Sequence, residues 1–200
     1  RRIAIHSEDE FRLKERKHLV INSKDIRLHP IWRDEETALR STTKLISLAK
    51  RTNRLVHILH VSTAEEMSLI KTEKMTDRKS KSPLLSVEVL PNHLTLVAPE
   101  CYEQLGTLAQ QNPPIRDKRH QEALWKALNE GLVDVLGSDH APHTLEEKSR
   151  EYPNSPSGTP GVQTLVPIML NHIHQGRLSL ERFVELVCES PRLIFGCQSK

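Results

Sequence analysis

Gly137-Ser138-Asp139-His140-Ala141-Pro142-His143-Thr144 is the stretch on which the reading of this chain turns. It follows Leu132-Val133-Asp134-Val135-Leu136, a short run that fits a buried parallel strand ending at Gly137. An acid and two imidazoles just after such a strand stand where α/β barrels place their chemistry, at the C-terminal face of the sheet. Those donors suit a hydrolytic Zn²⁺ or a similar ion, and the carboxylate can also move protons. The plainer alternative makes Asp139 the cap of a following helix and the histidines loop polar groups. Taken alone, the stretch favours that alternative.

Two further strand ends reverse the balance. Arg1-Arg2-Ile3-Ala4-Ile5-His6 carries a β-branched pair and ends on a histidine, with Ser7-Glu8-Asp9 beyond it. Leu55-Val56-His57-Ile58-Leu59-His60 is a second apolar strand, after which Ser62 or Thr63 can cap a helix opening at Ala64. Strand alternation puts His60 with Ile58 on one face and His57 on the other, so His60 is the better ligand candidate. A hydrogen-bonded core histidine is the ordinary reading of either residue alone. Three strand-terminal metal-type residues, each ahead of a helical segment, are much harder to obtain by accident.

The rest of the chain alternates strands and helices without internal repeats. Residues 8–19 read as a helical excursion, 34–51 as a long helix after Pro30, and 64–72 as a helix. Residues 73–83 are polar and read as a loop, and 84–90 as a strand stopped by Pro91. An irregular segment holding Asn112-Pro113-Pro114 follows, then a helix near 119–130. Residues 152–161, rich in Pro, Ser and Gly, are the best lid candidate, and helices near 162–174 and 179–188 complete the pattern. This order means a parallel sheet and the α/β class.

Composition narrows the function classes. A net charge of +3, with basic stretches at 71–81 and 116–120 broken by acids or spaced as on a helix, reads as solvated faces and not a nucleic-acid surface. An aromatic content of 4% offers no stacking platform. No apolar run approaches a membrane span and no signal peptide heads the sequence, so no membrane role and a cytoplasmic location are expected. Cys101, Cys188 and Cys197 are odd in number and far apart, which argues against a disulfide framework, and the lack of Cys-x-x-Cys argues against thiolate zinc. A hydrophobic fraction of 36% is low for a complete globular domain and agrees with a core shared with strands outside the chain.

His6-Ser-Glu-Asp, His60-Val-Ser-Thr-Ala-Glu, Asn112-Pro-Pro-Ile-Arg116 and Ser138-Asp-His-Ala-Pro-His143, in that order, resemble the class I bacterial dihydroorotases of the amidohydrolase superfamily. The likeness runs along nearly the whole chain, and the second pair of blocks is the more specific. It implies a metal-dependent (β/α)₈ TIM-barrel hydrolase, of which residues 1–200 form a single partial catalytic domain from about the fifth strand onward. The His-x-His-x-Arg strand and the bridging carboxylated Lys or Asp of that family have no counterpart here. A barrel takes roughly 250 residues, so the barrel is expected to be incomplete, with strand edges left unpaired and the chain alone inactive.

The resemblance also implies roles. His6 and His60 would hold one metal ion as neutral imidazoles, and Asp139 would bind a second and act as proton shuttle, with two Zn²⁺ ions expected in all. Such an ion supplies the nucleophile that cyclic-amide hydrolysis needs near neutral pH. Asn112 and His143, with backbone groups near Ser157 and Gly158, would bind the ring and carboxylate of the substrate, dihydroorotate or carbamoyl aspartate. A turn residue ahead of Pro113 explains Asn112 equally well, and a loop hydrogen bond is the plain account of His143. His140 and His57 are left as core residues or as residues orienting a ligand. The implied partners are a second copy of the chain or aspartate transcarbamoylase. Allantoinases and dihydropyrimidinases share the fold, but Asn112-Pro-Pro with His143 favours dihydroorotate. A non-catalytic dihydroorotase-like scaffold would have lost metal ligands, and His6, His60 and Asp139 are all present.

Overall fold

The structure is a computed structural model that describes residues 1–76 and 83–197. Four strands, β1 (Ile3–Ile5), β2 (Val56–Ile58), β3 (Leu85–Val89) and β4 (Val135–Leu136), form one parallel sheet in the order β1-β2-β3-β4. The register sets Ile3 beside Val56 and Leu85, and Ile5 beside Ile58 and Val87, so one face is a continuous apolar surface. Ala4, His57 and Ser86 occupy the rungs between them and face the other way, with Glu88 further along β3.

The apolar face packs against helices. Ile46 and Ala49 of helix Glu35–Thr52, Met67 and Ile70 of helix Ala64–Thr76, Leu124 and Leu128 of helix Lys118–Asn129, and Met169 of helix Leu165–His174 share one buried cluster with Val56, Ile58, Val87 and Val89. Helix Glu35–Thr52 starts where it does because the Asp34 carboxylate accepts from the Thr37 N–H and hydroxyl at 3.0 and 2.7 Å. It stops at Asn53, whose left-handed backbone (φ 49°) closes the last turn. Helix Ala64–Thr76 is opened by Thr63, whose hydroxyl accepts from the Glu66 N–H at 3.1 Å while the Glu66 carboxylate accepts back from Thr63. Of the two expected caps, Thr63 is the one used.

Several expected boundaries move. Pro91 does more than end a strand: its fixed φ suits a first helical turn, and it opens helix Pro91–Thr95. The segment expected to be irregular therefore holds that helix, helix Glu100–Leu105 and a 3₁₀ turn at Gly106–Ala109. Helix Ala64–Thr76 overruns the expected loop, of which residues 77–82 lie outside the described residues. β4 is shorter than its apolar run because the carbonyls of Leu132 and Val133 accept from Lys74 and Arg182 side chains. The last helical stretch breaks into helix Leu180–Val184, a π-turn at Glu185–Glu189 and helix Ser190–Phe195.

A second buried cluster, Val20, Ile26, Ala98, Cys101, Tyr102, Ala109, Ile115 and Tyr152, is built from the connecting segments. Its centre is fixed by the Tyr102 hydroxyl, which accepts from the Ile115 N–H at 2.9 Å. Among the described residues no helix is long and apolar enough to cross a membrane.

Candidate functional site

The three strand-end residues lie at the same end of the sheet, one, two and three residues beyond β1, β2 and β4. His60 and Asp139 both take left-handed backbone conformations (φ 35° and 42°), which cost a non-glycine residue about 1–3 kcal/mol. The alternation argument for His60 therefore fails. The chain leaves strand geometry after Ile58, so the His60 ring is placed by this turn and not by the pleat. His57 is buried, with its Nδ1 2.8 Å from the Ser86 hydroxyl and its Nε2 3.5 Å from the Glu88 carboxylate.

The turn brings His60 to His6. The Nδ1 atom of His6 and the Nε2 atom of His60 are 3.1 Å apart, with the rings inclined at 72°. Two nitrogens so spaced fit bonds of about 2.0–2.1 Å to one zinc ion. Burial first, and the His6 ring second, hold the His60 imidazole below its ordinary pKa, against Asp139, Glu88 and Glu8, which pull the other way. The neutral form, which a metal ligand requires, is thereby favoured. Among the described residues no third His, Cys, Asp or Glu completes a cluster with this pair. Asp139, beyond the end of β4, acts on the His60 charge without completing such a cluster.

Glu8 supports the pair. Its carboxylate is 1% exposed, sits 2.9 Å from His6 Nε2, and accepts from Arg33 through Nε at 3.1 Å and Nη2 at 2.7 Å. Burial alone would raise its pKa, but the His6 hydrogen bond and the Arg33 guanidinium outweigh it and hold Glu8 at about 2. A carboxylate can only accept, so His6 Nε2 donates and the Nδ1 lone pair of the neutral ring is directed to His60. Glu88 is accommodated in a different way. A Cβ at residue 137 would lie 2.2 Å from the Glu88 carboxyl carbon, so the carboxyl group occupies the space a side chain there would take.

The remaining candidates form a second group. His143 Nε2 is 3.3 Å from the Ser157 carbonyl. A Cβ on Gly158 (φ 141°) would come within 2.5 Å of the Ala141 carbonyl and 3.1 Å of His143 Nε2. The Gly158 N–H donates to the Gln110 carbonyl at 2.9 Å, which joins this loop to the Asn112 segment. Asn112 is not merely a turn residue: its Oδ1 accepts from His29 Nε2 at 3.0 Å. His29 is fully buried, and burial, then Arg33, lowers its pKa to about 4. Asp139 does not cap the next helix, since Thr144 forms a capping box with Glu147 there. His140 Nδ1 accepts from the Gly161 N–H at 3.0 Å and anchors the loop end.

The lid candidate is packed and hydrogen-bonded in place. Tyr152 and Ser155 are buried, and the loop between them and Gly161 is tied down by Gln110, His140 and Lys148. Sequence reasoning missed Glu8, Arg33, His29, Gln110 and Lys148. Glu8 lay within the quoted His6 block, while Lys148 sits in a charged tetrapeptide helix, Leu145–Lys148, that gives no sign of burial.

No family model matches the chain. Over 196 residues it is 36% identical to a dihydroorotase of Methanosarcina acetivorans, covering 96% of this chain and 41% of that protein. By sequence the chain is similar to dihydroorotases over nearly its whole length. A Methanosarcina mazei dihydroorotase is 34% identical over 96% of the chain, and the chain spans about two fifths of the length of these curated relatives. Among solved structures, the L-hydantoinase (dihydropyrimidinase) of Arthrobacter aurescens matches with a TM-score of 0.90 and 28% identity, over 98% of this chain and 43% of that one. The parallel sheet of the dihydroorotase-like chain is thus part of an amidohydrolase (β/α)₈ barrel.

Proposed function

We propose that the chain forms the C-terminal part, from about the fifth strand onward, of a metal-dependent dihydroorotase. Its reaction is the reversible hydrolysis of the cyclic amide of L-dihydroorotate to N-carbamoyl-L-aspartate, in pyrimidine synthesis in the cytoplasm. The observation that carries this reading is the convergence of His6 Nδ1 and His60 Nε2 at the end of the sheet where Asp139 also follows its strand.

His6 and His60 would hold a divalent ion such as zinc, and Glu8 fixes the ring of His6. When bound, the ion supplies Lewis acidity and lowers the pKa of a water molecule toward neutrality. The chain's own residues do the rest. Asn112, with its amide fixed by His29, and His143, with the Gly158 backbone beside it, bind the ring and its carboxylate. As water oxygen joins the ring carbonyl carbon and the C–N bond opens, an Asp139 carboxylate oxygen takes the water proton. It returns that proton to the leaving nitrogen.

A hydantoinase-type activity is the second reading, favoured by the backbone likeness to L-hydantoinase. Fold alone does not choose the ring, whereas Asn112-Pro-Pro with His143 and the sequence relatives favour dihydroorotate. Ring opening assayed on the full-length, metal-loaded protein separates the two. Activity on hydantoins or allantoin without activity on dihydroorotate would overturn the first reading.

A further inference from the structure

Lys148 is only 5% exposed, an unusual position for a lysine. Its Nζ reaches three backbone carbonyls, those of Gln110, Pro156 and Gly158, each at 3.0 Å. An ammonium has three N–H donors, so its capacity is filled by this one cradle. Among the described residues no carboxylate pairs with it. Burial, unopposed, holds its pKa down at about 8.

The carbonyls it gathers come from the two segments that carry the candidate substrate residues. Gln110 is followed closely by Asn112, and Pro156 and Gly158 flank Ser157, against whose carbonyl His143 rests. The Gln110 side chain adds to the same joint, donating to the Ser155 carbonyl at 2.9 Å and the Ser157 hydroxyl at 3.1 Å. Without Lys148, two buried carbonyls and one half-buried carbonyl would lose a charge-assisted partner at once, and such losses are costly.

We propose that Lys148 is a positioning residue for substrate specificity: its buried ammonium locks the 156–158 loop to the Gln110–Asn112 segment in the arrangement that receives the substrate carboxylate. The inference rests on the dihydroorotase reading. A methylene chain alone can fill the same space but cannot gather the carbonyls. The expected loss is therefore in binding of the carboxylate-bearing ring and not in the chemical step.

The test uses the full-length, metal-loaded protein with Lys148→Met and Lys148→Gln, each assayed on dihydroorotate and on dihydrouracil, which lacks the carboxylate. Metal content is measured beside them. Lys148→Met is expected to raise KM for dihydroorotate by about tenfold or more with kcat within about threefold. Metal content and any turnover of dihydrouracil should be unchanged, and Lys148→Gln, which keeps N–H donors, should recover part of the KM. Equal losses on both rings, or a fall in kcat with KM constant, would show a merely structural lysine and overturn the proposal. If Lys148→Met does not fold, Lys148→Gln decides alone, with unchanged KM counting against. A wild-type protein inactive on dihydroorotate would instead remove the underlying reading, and this inference with it.

Discussion

His6 Nδ1 faces His60 Nε2 across 3.1 Å because Glu8 occupies the opposite nitrogen of His6. The arrangement leaves one lone pair of His6 to be used and fixes which one. Replacing Glu8 with Gln removes the charge that holds the tautomer and leaves Arg33 without its carboxylate. Metal affinity is expected to fall by about 10–100-fold, read by competition titration of zinc or cobalt. An affinity equal to wild type would remove Glu8 from the site.

Asp139 and His60 should fail in different ways. Asp139→Asn is expected to keep most of the metal while abolishing turnover, because an amide cannot take up the proton. His60→Ala should lower metal occupancy itself. Metal analysis paired with ring-opening assays distinguishes the two, and near-wild-type turnover by Asp139→Asn would make the shuttle assignment wrong.

Gly137→Ala tests the fit of Glu88. The new methyl would overlap the carboxyl group, which must swing aside at the end of its flexible side chain, so the expected cost is at the low end of the roughly 1–3 kcal/mol of overpacking. Denaturant midpoints should fall for the single variant and recover in Gly137→Ala combined with Glu88→Ala. Additive effects in that double-mutant cycle would mean that the two residues do not share the space.

Acid should destabilise the fold in two stages. Burial leads the causes that lower His29 to about 4 and His93 to about 3, so the unfolded chain, with histidines near the ordinary 6.5, binds protons first as pH falls. Stability from keeping them neutral is full above about 6.5 and is lost on the way down to their folded values. Asp34 adds a later loss. Burial would raise it, but hydrogen bonds from Arg12 and Thr37 hold it at about 2, so its contribution disappears between about 4 and 2. Chemical denaturation from pH 7 to 3 should show the first stage, flattened in His29→Asn. A stability curve flat from pH 7 to 4 would contradict the assignment.

The parallel sheet, the long helix after Asp34 and the strand-end positions of His6, His60 and Asp139 were legible because each depends on local pattern. The left-handed turn at His60 was not, since nothing in Leu59-His60-Val61 marks it and the pleat predicted another route. The burial of Lys148 and Glu8 was not legible because it depends on segments more distant in the chain, residues 110 and 156–158 for one and Arg33 for the other. Pro91 was read as a strand stop, although the same fixed φ also suits a helix start.

Strand order in the sheet repeats strand order in the chain. During synthesis, β2, β3 and β4 each emerge to find their pairing neighbour already made, so the sheet can be laid down from one side without waiting for a later segment to be inserted. The longest interval between successive strands lies between Ile5 and Val56. At about 5–20 residues per second that gap lasts roughly 3–10 s. The helix capped by Asp34 is completed inside this interval, before β2 arrives to pack its Val56 and Ile58 against Ile46 and Ala49.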